Sequence, residues 1–268
     1  MKKMTFAVWF TALLAMFTFS SCLDTENGGQ RQGAEIVKVV GMLGSYEFES
    51  AAGFTLIPTN SNALTMDIST RYAFIAYSYD TEQVNQTTKK VPVTLTGIMP
   101  IKPKFTQPTL DGLKDFSNAP IRTISAGGSY DVFPIQFWDT TTMFLPINYF
   151  IKDYGDNAAM QKELDSHSFE IFFDLLDEEA YSDNLVFHVG HRVADPSLNK
   201  DRRNKINSSI FEIDLSMAIK MFENKNNKKP SKIIIKYDES YAGEYVENQL
   251  TVGKVEIDYQ SILNAAKK

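Results

Sequence analysis

Four carboxylates lie close together in the second half of the chain, at Asp174, Asp177, Glu178 and Glu179. Two facing carboxylates can serve as the acid and the base of glycoside hydrolysis, and clustered carboxylates can also bind calcium. Their spacing does not match the ligand pattern of an EF-hand loop, and a solvated turn at the end of a strand contains the same residue types. The segment therefore leaves three alternatives open: a hydrolase pair, a calcium-binding loop or a solvated turn.

The three histidines do not form an evident metal site. His188 and His191 are three residues apart in a strand-like run, so their side chains point to opposite faces. His191 shares its face with Phe187 and Val189. His167 stands alone beside a predicted helix end, and we expect it at the surface. We predict no bound metal and no cofactor.

Two further patterns are weak matches to catalytic motifs. Ser197–Lys200 reads S-x-x-K and Ser182–Asn184 reads S-D-N, a pair found in penicillin-binding enzymes, but their order is reversed and K-T-G is absent. The basic run Lys200–Lys205 is typical of a solvated loop tip. No catalytic constellation emerges from these residues, and we predict that the protein is not an enzyme.

Cys22 is the one cysteine of the chain. It follows a positive start at Lys2 and Lys3, an apolar run from Phe6 to Phe19, and two small serines. This is the layout of an export signal, and the run is short for a membrane span, which needs roughly 20 apolar residues. An exported chain with one cysteine cannot form an internal disulfide. We therefore predict that Cys22 is lipidated and anchors the chain to membrane lipid.

The charge of the chain argues against nucleic acid as a partner. Removing the signal takes away Lys2 and Lys3 and leaves 25 basic against 33 acidic residues, a net charge of −8. Proteins that bind nucleic acid carry clustered positive charge. We predict no nucleic-acid partner.

Apolar residues alternate with polar ones along most of the remaining chain, which predicts an all-β fold. We expect a lipoprotein signal over residues 1–21, a flexible tether over 22–33, a small OB-like barrel over 34–110 and an antiparallel β-sandwich over 111–268. Ile36–Met42 reads as a strand that continues through Phe48. One or two short helices are predicted, capped at Asp156 or Asn157 and built on Leu215, Ala218, Ile219 and Phe222.

Aromatic residues are concentrated in one predicted strand of the barrel. Tyr72 and Phe74 share one face of this strand, and Tyr77 and Tyr79 share the other. Exposed aromatics on a barrel can stack on bases or sugars. Packing in a core or an interface is the more frequent role, and it is the one we predict here.

The order of these features resembles the NigD-like lipoproteins, bacterial proteins with an N-terminal OB-type domain and a C-terminal β-sandwich. The segments that carry the resemblance are Phe19–Asp24, Val91–Ile98, Leu185–Arg192, Phe211–Leu215 and Lys232–Tyr237. The resemblance implies a lipid-anchored protein of the bacterial outer membrane that faces the periplasm or the cell surface. It implies no catalytic residues.

The predicted function is a non-enzymatic binding or accessory module for a protein or glycan partner at the cell envelope. One alternative is a structural subunit of a surface assembly, which requires an exposed sheet edge. Another is a hydrolase that uses the carboxylates of residues 174–179. This alternative requires two facing carboxylates in a cleft, with the pKa of at least one of them raised by burial.

Overall fold

The computed structural model describes residues 29–42, 45–60, 69–108, 117–125, 133–181, 183–194, 203–240 and 250–267. Cys22 and the predicted export signal lie outside these residues. The chain divides into two compact units, Met1–Ile101 and Lys102–Lys268. Among the described helices, none has the length and apolar character needed to cross a membrane.

The first unit is a five-stranded barrel. Its strands are β1 (Gln30–Met42), β2 (Ser45–Ser50), β3 (Thr55–Pro58), β4 (Tyr72–Asp80) and β5 (Lys90–Lys104). β1 pairs with β2 and β4, β2 with β3, and β4 with β5, all antiparallel. A parallel pairing of β3 with β5 closes the barrel. The predicted OB-like barrel is therefore confirmed.

Two sequence expectations need correction at the start of this unit. β1 begins at Gln30, where its backbone pairs with Asp80 of β4, so residues 30–33 belong to the barrel and not to the tether. The run that continues to Phe48 is not one strand. It forms two antiparallel strands, and Gly41 has a φ of 106°, which a residue with a side chain rarely adopts.

The aromatic strand β4 contributes Tyr77 to the barrel core, with Tyr79 packed against it. Tyr72 and Tyr77 are buried, and Phe74 and Tyr79 are half-buried, so packing accounts for these rings as predicted. Gly33 lies opposite Tyr77 in the β1–β4 pair. A Cβ atom on Gly33 would lie 2.7 Å from the Tyr77 ring, which explains why glycine occupies this position.

The second unit contains the remaining strands and all three α-helices of the described residues. The strands are β6 (Thr106–Gln107), β7 (Ile121–Thr123), β8 (Gln136–Phe137), β9 (Thr142–Ile151), β10 (His167–Asp174), β11 (Asn184–Val193), β12 (Lys205–Asp214), β13 (Lys232–Ser240) and β14 (Leu250–Asp258). The helices are α1 (Asn157–Ser166), α2 (Ser216–Asn226) and α3 (Tyr259–Ala265).

Two groups of strands enclose the core of this unit. One has the order β14-β13-β11-β10-β6, and the other joins β9 to β12 and β8. β7 pairs with both β9 and β13. The β11–β13 pair is parallel, because the chain forms β12 and α2 before it returns to the sheet. Leu145, Phe187 and Ile235 are among the fully buried residues of the core between the groups.

Two of the three helices, α1 and α2, were predicted from the sequence, and α3 was not. The Asp156 side chain accepts a hydrogen bond from the Ala159 N–H at 2.9 Å and caps α1, as predicted. α2 buries Ala218, Ile219 and Phe222, which confirms the predicted apolar face. It ends at Asn227, whose φ of 54° is the left-handed conformation common after a helix.

Candidate functional site

The predicted carboxylates meet a row of basic residues on the outer face of the second unit. His188 of β11 lies beside Lys236 of β13, and Lys236 lies opposite Lys254 of β14, because the three strands are neighbours in register. The loop after β10 places Asp177 and Glu179 over this row. We call these five residues the ionic cluster.

Lys236 is the centre of the ionic cluster. Its Nζ lies 2.8 Å and 2.9 Å from the two carboxylate oxygens of Asp177 and 3.0 Å from Oε1 of Glu179. His188 Nε2 donates to Asp177 Oδ2 at 3.1 Å. Lys254 Nζ lies 2.5 Å from the second oxygen of Glu179. Each of the two carboxylates is therefore bound by two basic side chains.

These contacts set the ionisation of the ionic cluster. Burial of Asp177 favours its neutral form, but the hydrogen bonds from Lys236 and the Glu179 N–H outweigh burial and lower the pKa of this carboxyl. Hydrogen bonds from Lys254 and Lys236 lower the pKa of Glu179. Burial disfavours the Lys236 ammonium, yet Asp177 and Glu179 raise its pKa overall. The cluster is a set of fixed, opposite charges at neutral pH.

This arrangement does not fit a general acid. The acid of a glycosidase keeps its proton near neutral pH because its pKa is raised, whereas the pKa values of Asp177 and Glu179 are lowered. Glu178 is exposed, and Asp174 accepts a hydrogen bond from the Leu176 N–H at 2.7 Å. The hydrolase alternative finds no support in these carboxylates.

Three residues of this region, Asp174, Asp177 and His188, lie close enough together to be considered as a cation site. One ligand atom each from Asp174, Asp177 and His188 can be chosen so that all lie within 4.8 Å of one another. Lys236, however, already holds both oxygens of Asp177. A metal ion would have to displace this ammonium, so the residues do not fit a calcium or transition-metal site.

A second polar region lies inside the same unit. It consists of His167 at the start of β10, His191 of β11, Glu163 of α1 and Arg203 just before β12, and we call it the histidine pair network. His167 Nδ1 lies 2.9 Å from His191 Nε2, and His191 Nδ1 donates to the Pro120 carbonyl at 2.9 Å. Glu163 Oε1 accepts from Arg203 Nε at 2.8 Å and lies 3.4 Å from His167 Nε2.

Two expectations are wrong in this region. His167 was expected at the surface, but its side chain is fully buried because its ring stacks on His191 and faces Glu163. Arg203 was expected in a solvated loop, but it is buried because its guanidinium pairs with the buried carboxylate of Glu163. The expected separation of His188 and His191 to opposite faces is confirmed, since His191 is buried and His188 faces the ionic cluster.

The histidine pair network has one proton fewer than its contacts require. The Pro120 carbonyl and the Glu163 carboxylate are both acceptors, and three contacts connect them through the two imidazoles. Two neutral imidazoles supply two N–H groups. With the His191 proton on Nδ1, the single proton of His167 serves either the contact with His191 or the contact with Glu163, and the other contact has none.

Burial determines the charge of this network. It lowers the pKa of His191 to about 3, with a further contribution from His167. Burial also lowers the pKa of His167 by more than Glu163 raises it. Burial favours the neutral form of Glu163, but the hydrogen bonds from Arg203 and the Lys152 N–H lower its pKa overall. The interior thus holds one ion pair beside two neutral histidines.

Two other features singled out in the sequence, Cys22 and the segment 197–200, lie outside the described residues. On the barrel, β2 directs Glu47 and Glu49 away from the core. OB folds bind oligonucleotides on the face of strands two and three, and this face is acidic here.

Comparison with solved structures identifies the fold. A candidate lipoprotein from Bacteroides fragilis is 24% identical, with 85% of this chain and 98% of that chain covered at a TM-score of 0.69. A protein of unknown function from Bacteroides vulgatus is 8% identical, with 85% and 91% covered at a TM-score of 0.50. No family profile and no curated protein sequence matches the chain.

A NigD-like immunity protein from Bacteroides caccae is also among the matching structures, with 15% identity, 83% and 90% coverage and a TM-score of 0.49. The chain has the fold of the candidate lipoprotein from Bacteroides fragilis. At these identities the comparison establishes the fold and gives no residue roles.

Proposed function

We propose that this protein is a lipoprotein of the bacterial cell envelope, lipidated at Cys22 and anchored in the outer membrane, whose β units bind a protein or glycan partner without catalysis. The observation that carries the non-enzymatic part is the ionic cluster. Asp177 and Glu179 are each held by two basic side chains, and both have lowered pKa values. Such carboxylates fix the loop after β10 to the sheet and do not donate protons at neutral pH.

Two independent features support the anchor. Cys22 ends an export signal and has no second cysteine with which to pair. The fold also extends over 98% of a candidate lipoprotein from Bacteroides fragilis. A lipidated Cys22 would carry more than one acyl chain, since a single chain binds membranes only marginally.

Substitution of Cys22 tests the anchor. The natural chain is expected in the membrane fraction of the cell, and Cys22→Ala is expected in a soluble or mislocalised form with unchanged circular dichroism. Ser21→Ala is the matched control, because it alters a small neighbour and keeps the thiol. Membrane association of Cys22→Ala equal to that of the natural chain would contradict the proposal.

Partner binding is tested on the chain from Leu23 to Lys268, which keeps both units. Pull-down from envelope extracts and a glycan array cover the two proposed partner classes. A partner found in either should bind equally well to Glu178→Gln, which alters an exposed carboxylate outside the ionic cluster. Silence in both experiments would remove the support for a binding role.

A further inference from the structure

β14 is a sheet edge with an open backbone. In the part of the chain that the structure describes, β14 pairs with β13 and with no second strand. The β13–β14 pairing continues without a shift from Lys232↔Asp258 to Ser240↔Leu250. A regular edge presents a row of unpaired N–H and C=O groups to another strand.

The side chains of β14 leave this edge accessible. Residues 250, 252, 254, 256 and 258 face outward, while Gly253 and Val255 are buried. Val252 is 72% exposed and Leu250 is 43% exposed. Proteins usually protect edges with proline, bulges or inward-pointing charges, and β14 has none of these. Its charged residues, Lys254, Glu256 and Asp258, are all on the outward face, where Lys254 Nζ lies 2.8 Å from Glu256 Oε1.

We propose that two copies of this chain pair antiparallel through their β14 edges, centred on Val255. The proposal goes beyond the binding role above and does not depend on it. In this register Lys254 of each copy lies opposite Glu256 of the other. Opposite charges at facing positions of an antiparallel pair are favourable, and like charges are unfavourable.

The same two residues exclude the neighbouring registers. Opposing side chains must share a face of the sheet. A shift of register therefore replaces the residue that faces a given position by the one two residues further along the strand. One such shift places Lys254 opposite Lys254. The other places Glu256 opposite Glu256, and there Lys254 faces Asp258 instead of Glu256. The pairing centred on Val255 is therefore the one that matches both charges, and it joins residues 252–258 of each copy.

Charge reversal gives a direct test in the chain from Leu23 to Lys268. Sedimentation velocity should show a dimer for the natural sequence at concentrations up to roughly 0.1 mM. Lys254→Glu and Glu256→Lys should each be monomeric, because each variant places like charges opposite one another. A 1:1 mixture of the two variants should form a dimer again, since every facing pair then has opposite charges. The double variant K254E/E256K should also dimerise.

Lys205→Glu on β12 is the control, because it reverses an exposed lysine that also forms an ion pair, on another strand, and should keep the dimer. Amide hydrogen exchange of the natural sequence supplies a measurement without any variant. The β14 amides that point away from β13 should become more protected as the concentration rises.

A natural chain that stays monomeric at roughly 0.1 mM would overturn the proposal. So would single variants that remain dimeric, a mixture that fails to dimerise while both variants are folded, or concentration-independent exchange at β14. A monomeric chain whose β14 edge pairs with a strand of another protein would also overturn the proposal, because the partner of the edge would then not be a second copy.

Discussion

The second unit contains two networks of charged and polar side chains. They differ in their location and in the groups that balance their charges. The ionic cluster lies on the outer face of the sheet, where every carboxylate meets two basic groups. The histidine pair network lies inside, where one ion pair borders two neutral imidazoles. The outer network is partly exposed, so we expect water to offset part of the loss of a member. The inner network has no such offset.

Removal of Glu163 should have the largest effect on stability. Glu163→Ala would leave the Arg203 guanidinium buried without its carboxylate. Breaking one side of a buried ion pair costs about 3–5 kcal/mol. Thermal and urea unfolding measure the loss, and Glu178→Ala, which removes an exposed carboxylate, serves as the control. A loss equal to that of the control would show that the inner pair is not structural.

The histidine pair network should make the protein sensitive to mild acid. The pKa values of His167 and His191 are lowered from 6.5 in the folded chain, so the unfolded chain binds more protons below that pH. Stability is complete above pH 6.5 and falls as the pH decreases. For His191 alone the loss is about 2 kcal/mol at pH 5.

His191→Asn tests this assignment, because asparagine can still donate to the Pro120 carbonyl but does not titrate. The slope of stability between pH 7 and 5 should become flatter in this variant. His188→Asn, in the ionic cluster, should leave most of the slope in place, since Asp177 offsets part of the effect of burial on the pKa of His188. An unchanged slope in His191→Asn would contradict the account.

Lys236→Met should have an intermediate effect. It removes the ammonium that both Asp177 and Glu179 contact, but the cluster is partly exposed. We expect a loss of about 1–2 kcal/mol in unfolding free energy. The pKa of His188 should rise in this variant, because Lys236 lowers it in the natural chain and Asp177 remains. A proton NMR titration measures this pKa, and a fall would contradict the assigned contacts.

The smallest effect is expected for the exposed ion pair of Lys232 and Glu256, which lies beside the ionic cluster. Lys232 Nζ lies 3.0 Å from Glu256 Oε2, in an ion pair whose two side chains are about half exposed. Exposed ion pairs contribute little to stability. Lys232→Gln should therefore leave the melting temperature unchanged within the error of calorimetry. A marked decrease would show that this exposed pair contributes to stability and would contradict the prediction.

The sequence predicts the elements better than it predicts these networks. Alternation identifies the strands through residues such as Phe169 and Phe187, because burial of one face is a local pattern. The contact between Asp177 and Lys236 joins positions 59 residues apart, and the local sequence around either residue does not predict it. His167 looks like a surface residue in the sequence, since its burial depends on Arg203 and His191 from distant strands.

The acidity of the Asp177 and Glu179 side chains tests the central claim most directly. The claim under test is that the ionic cluster is a structural network of balanced charges and not an acid–base pair. A carbon-13 NMR titration of the two carboxyl groups should give pKa values below their ordinary values of 3.8 and 4.5. A pKa of about 6 or higher for either group, the range of a glycosidase acid, would contradict it.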